Sequence, residues 1–230
     1  MTDRSSPVRP LAVVLVSGGL DSCVTACLAA QDHRLALLHL SYRQRTQERE
    51  RRAFGAVADR LGADLRLVVD VSYLQQIGGS ALTDPSRSVE EGPLLAGRVP
   101  DTYVPFRNAN LLSIAVAWAE SLGGADVYIG VHQEGSTYPD CTPRFVAAFQ
   151  QTVAAGTRPG TPLRVCAPLL DFDKAEIVRL GARLGAPLQL TWSCYVREDR
   201  ACGTCQSCRL RLAGFAAAGM VDPVPYCTRV

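Results

Sequence analysis

Short apolar runs alternate with longer amphipathic stretches along most of the chain. Runs rich in Leu and Val that end at turn residues predict buried parallel strands, and the stretches between them predict helices. The strands are expected at 11–16, 35–40, 65–70, 126–131 and 163–166. The helices are expected at 21–31, 46–62, 108–122, 143–155, 173–185 and 206–219. This order predicts an α/β fold in which helices cover both faces of a parallel sheet.

The regular alternation is interrupted once. Residues 78–103 are rich in Gly, Pro, Ser and charged residues and show no periodicity. A loop of this length in a compact domain is a lid, a binding loop or a mobile insertion, and the sequence leaves these alternatives open. Right-handed connections between parallel strands bring the carboxyl ends of the strands to one edge of the sheet. Binding residues are expected in the loops at that edge.

Composition limits the classes of protein to consider. The 230 residues suit an α/β domain at 1–190 and a smaller C-terminal segment at 191–230. Apolar residues make up 47% and the net charge is +2, which indicates neither a nucleic-acid surface nor a membrane surface. No apolar run is long enough to span a membrane, and the first residues lack a hydrophobic signal core. A cytoplasmic protein is therefore expected.

The first predicted strand runs directly into the string SGGLDS at 17–22. Adjacent glycines allow a sharp turn and close approach to a ligand, and the following helix offers free N–H groups at its positive end. Such a loop binds phosphate. It matches neither the Walker sequence nor G-x-G-x-x-G, but it resembles the pyrophosphate loop of the PP-loop ATP pyrophosphatases.

Four of the nine cysteines lie close together near the C-terminus. Cys194, Cys202, Cys205 and Cys208 have the spacing C-x7-C-x2-C-x2-C, which predicts a closed tetrahedral site for structural zinc. An iron–sulfur cluster and a redox C-x-x-C pair are the alternatives. The proline that follows the last cysteine in bacterial ferredoxin sequences is absent from this position.

Three further segments carry a more specific resemblance: VPFRN at 104–108, YPDC at 138–141 and PLLDFDKAEIVRLG at 168–181. With the loop and the cysteine segment WSCY…CGTCQSCRLR at 192–211, they resemble the 7-cyano-7-deazaguanine synthase family from Ala12 to Pro223. The resemblance implies a Rossmann-like fold of the adenine nucleotide alpha hydrolase type. It also implies a carbon–nitrogen ligase of queuosine biosynthesis.

The implied reaction converts 7-carboxy-7-deazaguanine and ammonia into 7-cyano-7-deazaguanine. ATP would activate first the acid and then the amide by adenylation, releasing AMP and pyrophosphate. The substrates are small molecules, no nucleic acid or membrane is expected to bind, and a homodimer is the assembly considered. One structural Zn²⁺ per chain and Mg²⁺ bound with ATP would be the metals.

The resemblance also assigns residues. ATP would contact Val16, Ser17, Gly18, Gly19, Leu20, Asp21, Ser22, Cys23, Val24 and Thr25. Asp21, Ser22 and Lys174 would be catalytic, with Asp21 either near Mg²⁺ or capping the helix. Lys174 would neutralise pyrophosphate charge, unless it is only a solvated residue at a helix start.

Arg107, Asn108, Tyr138 and Asp140 would bind the deazaguanine. The alternatives are a surface arginine, a helix N-cap at Asn108 and a turn residue at Asp140. His33, His39 and His132 are scattered, and each is interpreted as structural or exposed.

Several positions depart from the family pattern. Arg43 and Thr46 differ in the segment after the second strand, residues 134–137 differ ahead of Tyr138, and Thr142 replaces a common Arg. These differences keep open a paralogue that uses deazapurine chemistry in a specialised pathway. Two further alternatives are a PP-loop enzyme that thiolates tRNA and a non-enzymatic zinc-ribbon module. An enzyme that binds tRNA is expected to have a more basic surface than this chain.

Overall fold

The predicted parallel sheet is present in the computed structural model, which describes residues 9–63, 65–92, 97–132 and 138–227. Its five strands are β1 (Leu11–Leu15), β2 (Arg34–Ser41), β3 (Leu65–Asp70), β4 (Ala125–Tyr128) and β5 (Leu163–Cys166). They pair in parallel in the order β3-β2-β1-β4-β5. Successive strands are therefore added to one side of β1 up to β3 and to the other side from β4 onward. Ligands bind at this switch point between β1 and β4 in doubly wound folds.

Seven α-helices accompany the strands in the described part of the chain. They are α1 (Leu20–Ala29), α2 (Gln47–Arg60), α3 (Tyr73–Ile77), α4 (Arg107–Ser121), α5 (Pro143–Gly156), α6 (Lys174–Arg183) and α7 (Gln206–Ala217). The sequence predicted all of them except α3 and a 3-10 turn at Leu188–Leu190. None of the helices among the described residues is long and apolar enough to cross a membrane.

The core lies on both faces of β1, which is the middle strand. Val13 and Leu15 pack in the same cluster as residues of α4, whereas Ala12 and Val14 pack with α1 and α2. Alternate side chains of a strand point to opposite faces, so an uninterrupted apolar run is what a strand covered on both faces requires. The α/β prediction is confirmed.

The connection between α3 and α4 is anchored in its described parts. Arg45 Nε donates to Ala81 O at 2.8 Å, and Ala81 N donates to Asp101 O at 2.8 Å. Near its end, Thr102 and the hydroxyl of Tyr138 are 2.7 Å apart. This connection therefore extends from the sheet edge to the segment that contains Tyr138; residues 93–96 lie outside the described part.

A buried ion pair holds α7 to the segments before and after it. Arg211 Nε donates to Asp222 Oδ2 at 2.7 Å, and these side chains are only 3% and 2% exposed. Arg211 Nη1 also donates to Thr191 Oγ1 at 2.7 Å. The C-terminal segment packs on the sheet domain through Trp192, which shares an apolar cluster with Ala53 of α2. The proposed boundary at residue 190 stays a prediction.

Candidate active site

Two adjoining cavities lie at the carboxyl ends of β1, β2 and β4. The first cavity contains the phosphate loop and Glu50, and the second contains His132, Tyr138 and Lys174. They share eight lining residues, which are Leu20, Asp21, Arg107, Gly130, Val131, Ser193, Tyr195 and Ser207. The arrangement offers adjacent places for two ligands, with Asp21 and Arg107 at the junction.

The loop at 17–22 is held in shape by its own polar groups. Gly19 N donates to Ser17 Oγ at 3.2 Å, and Ser22 Oγ donates to Gly19 O at 3.1 Å. Gly18 has a φ of 91°, and a Cβ there would lie 2.5 Å from the carbonyl oxygen of Glu50. Only glycine combines this backbone conformation with such close packing.

Helix α1 begins just after this turn, with Gly19 as its N-cap. Asp21 therefore lies within the first turn and does not cap the helix. The N–H groups of the first turn have no partner within the helix, so they suit an anionic ligand in the first cavity. Cys23, Val24 and Thr25 are wholly buried and line neither cavity, and their contact with ATP stays a prediction.

Asp21, Lys174 and His132 form one polar cluster. Lys174 Nζ donates to both carboxylate oxygens of Asp21, at 2.7 and 2.8 Å, and lies 2.9 Å from His132 Nε2. Burial by itself would raise the pKa of Asp21, but the charges of Lys174 and His132 and the lysine hydrogen bond lower it. The cluster thus presents an ionised carboxylate and an ammonium group where the cavities meet.

The position of Lys174 is fixed by two helices. It is the first residue of α6, whose N-cap Asp173 forms a capping box with Glu176. Its aliphatic part lies against α7, where a Cβ on Gly214 would be 2.3 Å from Lys174 Cγ. Lys174 is therefore not a solvated residue at a helix start; its side chain is 12% exposed.

Arg107 lies at the start of α4, after Phe106, which is the N-cap. Its guanidinium lies 5.9 Å from the centre of the Tyr42 ring, and Nη1 donates to the Tyr42 hydroxyl at 3.3 Å. Burial opposes the charge, but Tyr42 and Asp140 raise the pKa of Arg107 above its usual value. Arg107 therefore offers a permanent positive charge to both cavities, rather than acting as a surface arginine.

Asn108 and Asp140 bind each other. Asn108 N donates to Asp140 Oδ2 and Asn108 Nδ2 donates to Asp140 O, both at 3.0 Å. Asp140 is 3% exposed and lines neither cavity, whereas Asn108 lines the first and Tyr138 the second. The carboxylate thus attaches the YPDC segment to the N-terminal turn of α4, and direct contact between Asp140 and a ligand stays a prediction.

The four cysteines of the C-terminal motif come together. Their sulfur atoms all lie within 4.8 Å of one another, so Cys194, Cys202, Cys205 and Cys208 could hold a metal ion. Three backbone N–H groups donate to Cys194 Sγ at 3.4 Å, which suits a thiolate ligand. Cys205 is the N-cap of α7, and the next two residues line the second cavity. The cysteine cluster is thereby connected to the cavity wall.

The departures from the family pattern that the structure describes, at Arg43, Thr46 and Thr142, line neither cavity. Arg43 is exposed and has a φ of 62°, and Thr142 is the N-cap of α5, accepting from Phe145 N at 3.1 Å. Thr46 is buried, and its hydroxyl donates to Glu50 Oε1 at 2.9 Å, with Cys194 O as the alternative acceptor at 3.1 Å. Residues 134–137 lie outside the described part.

Sequence reasoning missed four residues of this site. Glu50, Tyr195 and Gly214 were assigned no role, and His132 was interpreted as structural or exposed. Helical periodicity placed Glu50 and Gly214 on helices but could not show which face meets a loop distant in sequence. Among these residues, only Tyr195 had an available signal, since it belongs to the string WSCY.

Comparison with known proteins identifies the family. The model described as "Queuosine biosynthesis protein QueC" matches residues 11–219. The chain is 53% identical over 224 residues to the 7-cyano-7-deazaguanine synthase of Koribacter versatilis, covering 95% of this chain and 94% of that protein. It is 49% identical over 229 residues to the synthase of the same name from Acidobacterium capsulatum, covering 97% of this chain and 100% of that protein.

A solved NMN synthetase from Francisella tularensis is 17% identical, with a TM-score of 0.46 over 80% of this chain and 65% of that one. That likeness is too distant to inform the chemistry, whereas the family match spans almost the whole α/β unit and extends through the cysteine cluster. The chain belongs to the QueC family of queuosine biosynthesis proteins.

Proposed function

We propose that this protein synthesises 7-cyano-7-deazaguanine from 7-carboxy-7-deazaguanine, ammonia and ATP at the two adjoining cavities. The observation that carries the proposal is the junction at Asp21 and Arg107, where a phosphate-binding loop meets a second cavity lined by Tyr138 and Lys174. Family membership supplies the substrate class, and the relatives at 53% and 49% identity carry this activity in their names.

One phosphate loop can serve both activations, because the same attack on ATP occurs twice. A carboxylate oxygen attacks the α-phosphorus of ATP, which forms an acyl adenylate and releases pyrophosphate. Ammonia then attacks the acyl carbon, AMP leaves, and a proton is lost to give the amide. The amide oxygen attacks a second ATP in the same way, and loss of a proton and AMP from the adenylated amide leaves the nitrile.

The residues at the site supply positioning and charge for these steps. The first-turn N–H groups of α1 and the hydroxyls of Ser17 and Ser22 hold the triphosphate, and Lys174 stabilises the departing pyrophosphate. Arg107 binds the substrate carboxylate, because a guanidinium pairs with a carboxylate through two parallel hydrogen bonds. Mg²⁺ would bind with ATP near Asp21 and neutralise phosphate charge.

Zinc is the metal that we propose for the cysteine cluster. Four thiolates without an open position form a closed site, which is characteristic of structural rather than catalytic zinc. Its contribution would be to fold the C-terminal segment and thereby place Gln206 and Ser207 at the second cavity.

The test is a reconstituted reaction. Purified protein is incubated with 7-carboxy-7-deazaguanine, ammonium, Mg²⁺ and ATP, and mass spectrometry follows AMP, the amide and the nitrile. We expect two AMP molecules for each nitrile and transient amide. AMP without nitrile would remove the assigned product while preserving adenylation. No AMP at all would contradict both.

A further inference from the structure

Glu50 presents an acidic group to the first cavity, where the charge of Arg107 acts to lower its pKa without forming an ion pair with it. Its oxygens are oriented by neutral donors, since Gln44 Nε2 donates to Oε2 at 3.0 Å and Thr46 Oγ1 donates to Oε1 at 2.9 Å. Among the described residues, no Lys, Arg or His lies within ion-pair distance of this carboxylate. Each carboxylate oxygen retains a lone pair for another donor.

The chemistry of such a group selects its ligand. A carboxylate in a cavity repels phosphate oxygens, so the triphosphate is not its partner. It favours neutral O–H or N–H donors, because a hydrogen bond to an ionised acceptor is stronger than one between neutral groups. In a nucleotide held by the loop at 17–22, the vicinal ribose hydroxyls provide two such donors next to the phosphates.

The position of Glu50 in the fold favours the ribose over a base. Its helix follows β2, and the phosphate loop follows the adjacent strand β1. In doubly wound sheets that bind dinucleotides, phosphate lies on the loop after β1 and an acidic residue farther along binds the ribose hydroxyl. The close packing of Gly18 on the Glu50 carbonyl places the carboxylate within one nucleotide's reach of the loop.

We propose that Glu50 binds the ribose hydroxyls of ATP and makes the first cavity selective for ribonucleotides. The inference rests on the proposed function, since it places ATP in that cavity. Burial raises the pKa of Glu50 above its usual value, and hydroxyl donors from a bound ribose stabilise the ionised form. Glu50 is then a specificity-determining residue for the nucleotide and takes no part in bond making.

The experiment compares equilibrium binding of ATP, 2′-deoxy-ATP and 3′-deoxy-ATP, each with Mg²⁺ and without the deazapurine. Wild-type protein is expected to bind ATP about ten- to a hundredfold more tightly than at least one deoxy analogue. In Glu50→Gln the difference should shrink to about threefold or less. The matched control is Glu48→Gln, because Glu48 lies on the same helix, is exposed and pairs with Arg51.

The inference is overturned by any of four results. Wild-type protein that binds the deoxy analogues as tightly as ATP would overturn it without any variant. If a folded Glu50→Gln protein keeps the ribose preference, Glu50 does not bind the ribose. If the variant instead loses affinity for 7-carboxy-7-deazaguanine, Glu50 binds that substrate. Equal weakening of all three nucleotides, together with a lower melting temperature, would reduce its role to supporting the loop.

The two proposals can fail separately. Wild-type protein that makes the nitrile but shows no ribose preference overturns only the assignment of Glu50. Wild-type protein that forms no AMP contradicts the proposed function, even if it binds ATP with the expected preference.

Discussion

Lys174 donates hydrogen bonds to both carboxylate oxygens of Asp21, which lies 153 residues earlier in the chain. The pair joins the first turn of α1 to the first turn of α6 at the junction of the two cavities. Before a nucleotide binds, the Asp21 carboxylate therefore neutralises and orients the Lys174 ammonium group, which we propose stabilises the departing pyrophosphate.

Replacement of Lys174 by Met should lower kcat for AMP formation about a hundredfold or more, because a charge aimed at the developing pyrophosphate is lost. The KM for the deazapurine should change much less. Steady-state kinetics with varied ATP and varied deazapurine measure both effects. Unchanged kcat would remove Lys174 from the reaction.

Asp21 predicts a pH dependence of stability. Its pKa is lowered in the folded protein, so its stabilising contribution is present above its ordinary pKa and is lost as the pH falls through the folded-state value. Asp21→Asn should therefore be less stable than wild type at pH 7, and this difference should narrow below about pH 4. Urea unfolding at several pH values measures it, and a constant difference would contradict the ion pair.

Gly214 is expected to act through Lys174. Gly214→Ala should impair AMP formation, because its Cβ would meet the lysine side chain at 2.3 Å. Gly55→Ala is the matched control: Gly55 lies in α2 with open space around its Cβ position, and this change should stabilise the protein by about 0.5–1 kcal/mol. Equal activity in both variants would show that α7 or the Lys174 side chain shifts enough to accommodate the added methyl group.

Arg43 should be replaceable by glycine with a gain in stability. Its φ of 62° lies in the left-handed region, and its side chain is exposed. Arg43→Gly should raise the free energy of unfolding by about 0.5–1 kcal/mol, since the strain removed exceeds the added entropy of the unfolded chain. Arg51→Gly within α2 should instead lower it by about 1 kcal/mol. Chemical denaturation compares the two, with unchanged turnover expected for Arg43→Gly.

Cys205→Ser should remove the metal and several kcal/mol of stability, because a bound structural metal contributes directly to folding. We expect about one zinc per chain in wild type by elemental analysis and a melting temperature about 5–15 °C lower in the variant. Cys227→Ser is the control, since Cys227 is exposed and lies outside the cluster. A metal-free Cys205→Ser protein with normal stability would contradict a structural role.

The sequence predicted the sheet well for a physical reason. An uninterrupted run such as Leu11–Leu15 suits only a strand buried on both faces, and the loop that follows has a conformation that its glycines permit. The cysteine spacing was equally informative, because short gaps bring thiolates together locally. These signals depend on neighbours along the chain.

The rest of the site depends on contacts between distant segments. The motif at 138–141 pointed to Asp140 as a ligand contact, which stays a prediction, but it gave no sign that the buried carboxylate accepts a hydrogen bond from Asn108 N. His132 reaches the site only because the segment after β4 passes against α1, where a Cβ on Gly130 would be 2.9 Å from the backbone of Ser22. No local pattern contains that approach, so neither position could be inferred from periodicity.

At Gly18 the phosphate loop packs directly against the backbone of α2 near Glu50, because no side chain separates the two segments. A nucleotide that binds there meets two fixed points, one for its phosphates and one on the adjoining helix. The distance between these points is therefore set by backbone packing rather than by a side chain. A side chain at Gly18 would push the loop away from α2 and so would change the position of the phosphates relative to the adjoining helix.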